Sequence, residues 1–180
     1  MRVLVPLAEG FEEMEAVILV DLLRRASIET VAAAMGDSPT VTASRGVRLV
    51  ADAMWADLDP SAFDLIALPG GMGGTRRLQG DERLLQALRA HHAAGKPVAA
   101  VCAGPLVLQS AGLLDGREAT CHPGVAGELT AARRRDARVV ADGAVITSQG
   151  PGTAIDFALA IIERLAGRPA ADTVASGLVR

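Results

Sequence analysis

The chain has 180 residues, the length of one domain, and half of them are hydrophobic, enough to bury a sizeable core. Aromatic residues make up only 2% and the net charge is −3, which argues against base-stacking nucleic-acid readers, sugar-stacking lectins and anionic membrane surfaces. Of the 18 basic residues only Lys96 is a lysine, a coding bias with no functional reading, and two cysteines, Cys102 and Cys121, do not make a disulfide framework.

The N-terminus carries one positive charge and a short apolar run before it turns acidic. That is a first strand, residues 3–7, rather than a signal peptide. Residues 12–26 read as a helix, with Glu12 and Glu13 suited to its N-terminal dipole. Residues 30–35 form a second strand, and 41–44 with 47–50 a hairpin across Arg45-Gly46. A third buried strand, 64–68, ends at Pro69-Gly70-Gly71, and 81–93 is a helix with His91 and His92 facing solvent. The uncharged stretch 97–114 is long enough for a membrane span, but Gly104-Pro105 interrupts it and its second half is polar. A buried strand, 98–101, followed by a helix from Gly104-Pro105 is the more economical reading. Arg133-Arg134-Arg135 reads as a solvated helix end or loop. Residues 139–140 and 144–147 suggest a hairpin across Asp142-Gly143, and 153–166 is the last long helix, closed by Gly167 and Pro169. No targeting or transmembrane segment is expected, and a soluble, cytoplasmic protein is the default.

Short apolar strands alternating with helices predict a mostly parallel α/β sheet covered on both faces, with right-handed crossovers. Ligands bind such sheets outside the C-terminal ends of the strands. Four segments lie there: Glu9-Gly10, Pro69-Gly70-Gly71, Cys102-Ala103-Gly104 and residues 148–152.

Cys102 stands between a buried strand and a helix opening, the geometry of a nucleophile elbow. Free N–H groups there favour a thiolate, though a buried Cys is also simply a small hydrophobe. The Pro69–Gly74 stretch allows backbone N–H groups to approach a ligand, as an oxyanion hole requires, or is a plain tight turn. Glu15 shares a helix face with Leu19, Leu22 and Ala26. Burial on that stripe would raise its pKa and suit it to general acid–base work; the alternative is a first-turn Glu answering the dipole. His122 is either a partner for thiol chemistry or a loop histidine. No ligand pair has metal-like spacing, so no metal is expected.

Together these segments resemble the ThiJ/PfpI superfamily, within the class I glutamine-amidotransferase-like fold. The likeness is strongest to the branch of the Parkinson-disease-associated protein deglycase and bacterial YajL. It is carried by residues 9–17 (EGFEEMEAV), 20–25, Ser44-Arg45, residues 68–71 (LPGG), 99–105 (AAVCAGP), His122-Pro123, 147–153 (TSQGPGT) and 156–162. Position 149 is Gln, as in the bacterial branch. The resemblance implies a single flavodoxin-like α/β sandwich over residues 1–180 that forms a homodimer. It implies that Cys102 is a low-pKa nucleophile beside a protonated Glu15, with His122 near the thiol. Gly70, Gly71 and Ala103 would supply oxyanion or substrate contacts. Arg45 would lie near the site at the dimer interface, and Pro151 would close the pocket.

The expected reaction is cofactor-free conversion of methylglyoxal or glyoxal, free or as early glycation adducts on protein, to 2-hydroxy acids. A redox-responsive chaperone or sensor using the same oxidisable cysteine is the alternative reading. An intracellular cysteine peptidase is less favoured, because Ala103, not His, follows Cys102.

Overall fold

A computed structural model describes residues 1–179. Its strands are β1 (Arg2–Leu7), β2 (Glu29–Ala34), β3 (Thr40–Thr42), β4 (Arg48–Val50), β5 (Ala53–Met54), β6 (Leu65–Leu68), β7 (Val98–Val101), β8 (Glu118–Ala119), β9 (Arg133–Arg134), β10 (Val139–Asp142) and β11 (Val145–Ser148). Its helices are α1 (Glu13–Arg25), α2 (Met72–Gln79), α3 (Glu82–Ala93), α4 (Pro105–Ser110), α5 (Ala154–Ala166) and α6 (Arg168–Gly177). Seven strands form one sheet in the order β10-β11-β7-β6-β1-β2-β5, with every neighbouring pair parallel except β10–β11. This is the mostly parallel sheet expected from the alternation of strands and helices, in the flavodoxin-like α/β architecture that the resemblance implies.

The strands read as continuous apolar runs because both faces of the sheet are covered. Along β1, Val3, Val5 and Leu7 enter one core with Leu19 and Leu23 of α1 and Phe157 and Ile161 of α5. Leu4 enters the other core with Leu84 and Leu88 of α3 and Leu106 and Leu108 of α4. The same alternation splits Ala99 and Val101 from Val98 and Ala100 in β7.

Two helices and several short strands depart from the sequence reading. Pro169, expected to close the preceding helix, stands in the first turn of α6, where its missing N–H is no loss. The glycines of the Gly71–Gly74 run hide the start of α2. They are small because the helix lies against Gly10 and Phe11: a Cβ on Gly74 would come 2.9 Å from the Phe11 nitrogen. Arg133 and Arg134 lie in strand β9, paired in parallel with β8, and Arg135 pairs with Glu118. His91 is not solvent-facing but 3% exposed, because α3 turns it toward the sheet. No helix among the described residues is long and apolar enough to cross a membrane.

Candidate active site

Strand β7 ends in a strained turn. Cys102 has φ +65°, a conformation that costs a non-glycine residue about 1–3 kcal/mol and is held only where the surroundings enforce it. The Cys102 N–H donates to the Ser148 carbonyl at 3.0 Å, and its own carbonyl accepts from His122 N–H at 2.9 Å. Gly104 completes the elbow. A Cβ there would meet the carbonyl oxygens of Val101 at 2.9 Å and Leu68 at 3.0 Å, so no larger residue fits unmoved.

Glu15 reaches the elbow from the first turn of α1 and is fully buried. Its Oε2 accepts from the Gly70 N–H at 2.7 Å, whereas Oε1 is buried without a hydrogen-bond partner. Gly70 is where the groups meet. A Cβ on it would fall 2.5 Å from Cys102 Cβ and 2.8 Å from Glu15 Oε2. This corrects one expectation. Gly70 does not face the cleft as an oxyanion donor, because its N–H is spent on Glu15. The Gly71 and Ala103 N–H groups instead act on the Cys102 sulfur, where they favour the thiolate.

Burial pushes Glu15 up to about 7; the charge of Glu12 adds to the rise, while the Gly70 N–H and the Cys102 thiol oppose it. Burial, with the adjacent Glu15 carboxylate adding to it and the two N–H groups opposing, pushes the Cys102 thiol up to about 12. The low-pKa thiol implied by the resemblance is therefore not a property of Cys102 beside an ionised Glu15. Protonation of Glu15 removes the charge that, after burial, most raises the thiol, so the two groups titrate as a pair.

An open cleft of about 380 Å³ lies over this pair. Cys102, Ala103, Gly71, Arg45, His122 and Pro151 line it, while Glu15 and Gly70 are buried and do not line it. Pro151 belongs to the same chain as the Cys102 it faces. The His122 ring is at the cleft, but its Nδ1 accepts from the Gly124 N–H at 3.0 Å. No hydrogen bond joins it to Cys102 among the described residues. Arg45 is held by its backbone: the Glu13 carboxylate accepts from Arg45 N–H and from the Ser44 hydroxyl, each at 2.9 Å. Glu12, Ser44, Met72 and Val125 also line the cleft and were not among the sequence candidates. Glu12 and Ser44 lie within the motifs of residues 9–17 and Ser44-Arg45, and Met72 adjoins residues 68–71; Val125 carried no signal.

Of the clefts elsewhere, one lies beside Trp55, His91 and Lys96 and another beside Met35, Arg77 and Asp81. Neither contains a cysteine. Among the described residues no group of three or more His, Cys, Asp or Glu could hold a metal ion.

A model of the DJ-1/PfpI family matches residues 1–164. The chain is 46% identical over 168 residues to Protein DJ-1 homolog B of Arabidopsis thaliana, covering 93% of this chain and 38% of that protein. It thus spans about two fifths of the length of the Arabidopsis relatives it matches. It is 36% identical over 161 residues to a Caenorhabditis elegans protein named glutathione-independent glyoxalase DJR-1.2, covering 88% of this chain and 85% of that one. The crystal structure of Drosophila melanogaster DJ-1beta superposes with a TM-score of 0.95 at 40% identity, covering 99% of this chain and 97% of that one.

Proposed function

The chain belongs to the DJ-1/PfpI family, and from that premise we propose that it is a cysteine-dependent glyoxalase or protein deglycase acting on α-oxo-aldehydes. The observation that carries the reading is the pairing of a buried Glu15, its proton affinity raised by burial, with Cys102 on a strained elbow, across Gly70. The relative named as a glyoxalase supports the reaction class.

The Cys102 thiolate, formed as Glu15 takes its proton, adds to the aldehyde carbon of methylglyoxal. The new oxyanion accepts from the Gly71 and Ala103 N–H groups and is then protonated. Glu15, ionised again by that step, carries the proton from the former aldehyde carbon to the neighbouring carbon, while the hydroxyl proton passes to the former ketone oxygen. The hemithioacetal thereby becomes a thioester of lactate. Water cleaves the thioester, releases lactate and restores the thiol, so the net reaction consumes one methylglyoxal and one water. An early adduct on a protein amine or thiol enters the same sequence, with the protein group leaving unmodified.

Arg45 and Pro151 border the cleft and would contact whatever group the aldehyde carries. The substrate requires no cofactor in this scheme. We also propose a homodimer. Met14 and Val17 on α1 and Val50 on β4 are exposed apolar side chains, and Val17 and Val50 line one shallow depression.

Cys102 is partly exposed while Cys121 is buried, and this favours Cys102 as the oxidisable thiol of the sensor reading. The peptidase reading lacks a hydrogen bond between the Cys102 thiol and the His122 ring among the described residues. Steady-state lactate release from methylglyoxal, without glutathione, tests the enzyme reading. Cys102→Ser is expected to reduce it to the uncatalysed background, and undiminished release would overturn the assignment.

A further inference from the structure

The first turn of α1 is closed by a ring of three hydrogen bonds, and Glu12 takes part in two of them. The Glu12 N–H donates to the Gly70 carbonyl at 2.9 Å. The Gly70 N–H donates to Glu15 Oε2 at 2.7 Å. The Glu15 N–H donates back to Glu12 Oε2, also at 2.7 Å. The ring fixes both the backbone and the carboxyl of Glu15 to the loop that carries Gly71, whose N–H acts on the Cys102 sulfur.

Glu12 differs from its neighbour. The Glu13 carboxylate is spent on Ser44 and Arg45 of the hairpin. Glu12 has no ion pair among the described residues, and it lines the cleft. Its charge therefore acts inside the site.

We propose that Glu12 is a positioning residue of the Glu15–Cys102 pair, holding Glu15 against Gly70 through the ring and opposing negative charge on Glu15 through its own carboxylate. The inference rests on the reading of Glu15 as the proton carrier. The titratable and charged groups around the pair are Cys102 on the elbow, Glu12 and Glu13 at the start of α1, Arg45 on the hairpin and His122 across the cleft. Of these, Glu12 is the one whose charge raises the proton affinity of Glu15. When the pair holds a single proton, that proton sits on the carboxyl or on the sulfur. A carboxylate that disfavours ionised Glu15 enlarges the share in which Cys102 is the thiolate. Glu12 thus promotes the reactive state without touching the substrate carbon.

The test is the pH profile of Cys102 alkylation by iodoacetamide, resolved from Cys121 by peptide mass spectrometry. The wild-type profile is expected to show an inflection near pH 7, where Glu15 titrates. E12Q and E12S both keep an oxygen that can cap the helix and both remove the charge. In each, the inflection is expected about half a pH unit lower, the effect of one like charge across a partly solvated cleft. The alkylation rate just above it is expected to fall about threefold. E12D keeps charge and cap and is expected to follow the wild type. Profiles of E12Q and E12S that overlay the wild type would overturn the proposal. So would an E12D shift equal to that of E12Q, or a wild-type profile with no inflection in the neutral range. No substrate is present in this experiment. A wild-type protein that releases no lactate would overturn the enzyme reading and leave the Glu12 result standing, and the reverse holds for an unmoved inflection.

Discussion

Glu15 has no exposed surface, and its proton affinity in the folded chain makes stability depend on pH. Its carboxyl titrates at about 7 when folded, against 4.5 as the ordinary value. Below the lower figure it is protonated in both states and its contribution is fully present. As pH rises, the unfolded chain sheds the proton while the folded chain keeps it, so stability falls until about pH 7 and then levels off. At about 1.4 kcal/mol per unit the loss is about 3 kcal/mol. Glu15→Gln cannot titrate. Urea unfolding is therefore expected to show the variant gaining on the wild type by about that amount as pH rises from the ordinary carboxylate range past neutrality. Parallel pH dependences would contradict this. Cys102 and Glu15 were legible because each breaks a local pattern: a cysteine between a strand and a helix, and a carboxyl on an apolar stripe. The function of Gly70 was not, since the sequence does not show which of two adjacent N–H groups faces the cleft. Glu12 was legible only as a residue suited to the helix dipole. Its part in the site depends on a contact with Gly70, far away in the chain.

At the scale of elements, the site depends on how closely β6, β7 and the start of α1 approach. Gly104 stands where the ends of β6 and β7 nearly touch. A Cβ there meets backbone carbonyls, which cannot swing aside as a side-chain tip can. Gly104→Ala is expected to destabilise the fold by about 1–3 kcal/mol in chemical denaturation. Gly127→Ala, where an added Cβ meets nothing within 4 Å, is expected to be near neutral. Equal stability of the two variants would contradict the tight-elbow account. The strands and helices with strong apolar periodicity were readable to within a residue or two: α1 spans Glu13–Arg25 and β7 spans Val98–Val101. Elements with weak local signals were not. Helix α2 begins among glycines selected by close packing, and α6 begins at a proline that also suits a helix end. The parallel pairing of β8 with β9 joins residues 15 apart in sequence, so no local pattern announces it.

At the scale of the molecule, parallel strands carry the Glu9-Gly10, Gly70-Gly71, Cys102 and Gln149–Pro151 segments to one edge of the sheet. Alternating apolar strands and helices made that edge predictable, and the cleft over Cys102 lies there. The scarcity of aromatics suits this site, whose lining includes Met72, Val125 and Pro151 but no Phe, Tyr or Trp. The exposed apolar face of α1 and β4 adjoins the hairpin that carries Arg45. If two copies meet there, as proposed, Val17→Asp combined with Val50→Asp is expected to convert a dimer to a monomer in sedimentation equilibrium. A wild-type chain that sediments as a monomer at micromolar concentration would contradict the proposal.

The most direct measurement of the central claim is lactate release from methylglyoxal, without glutathione, by four proteins side by side. The wild type and Cys121→Ser are expected to turn over equally, because Cys121 is buried away from the cleft. Cys102→Ser and Glu15→Gln are each expected to lose at least about a hundredfold, the usual scale for removing a nucleophile or a proton carrier. Lactate release by Cys102→Ser or Glu15→Gln at the wild-type rate would contradict the claim that this pair performs the reaction.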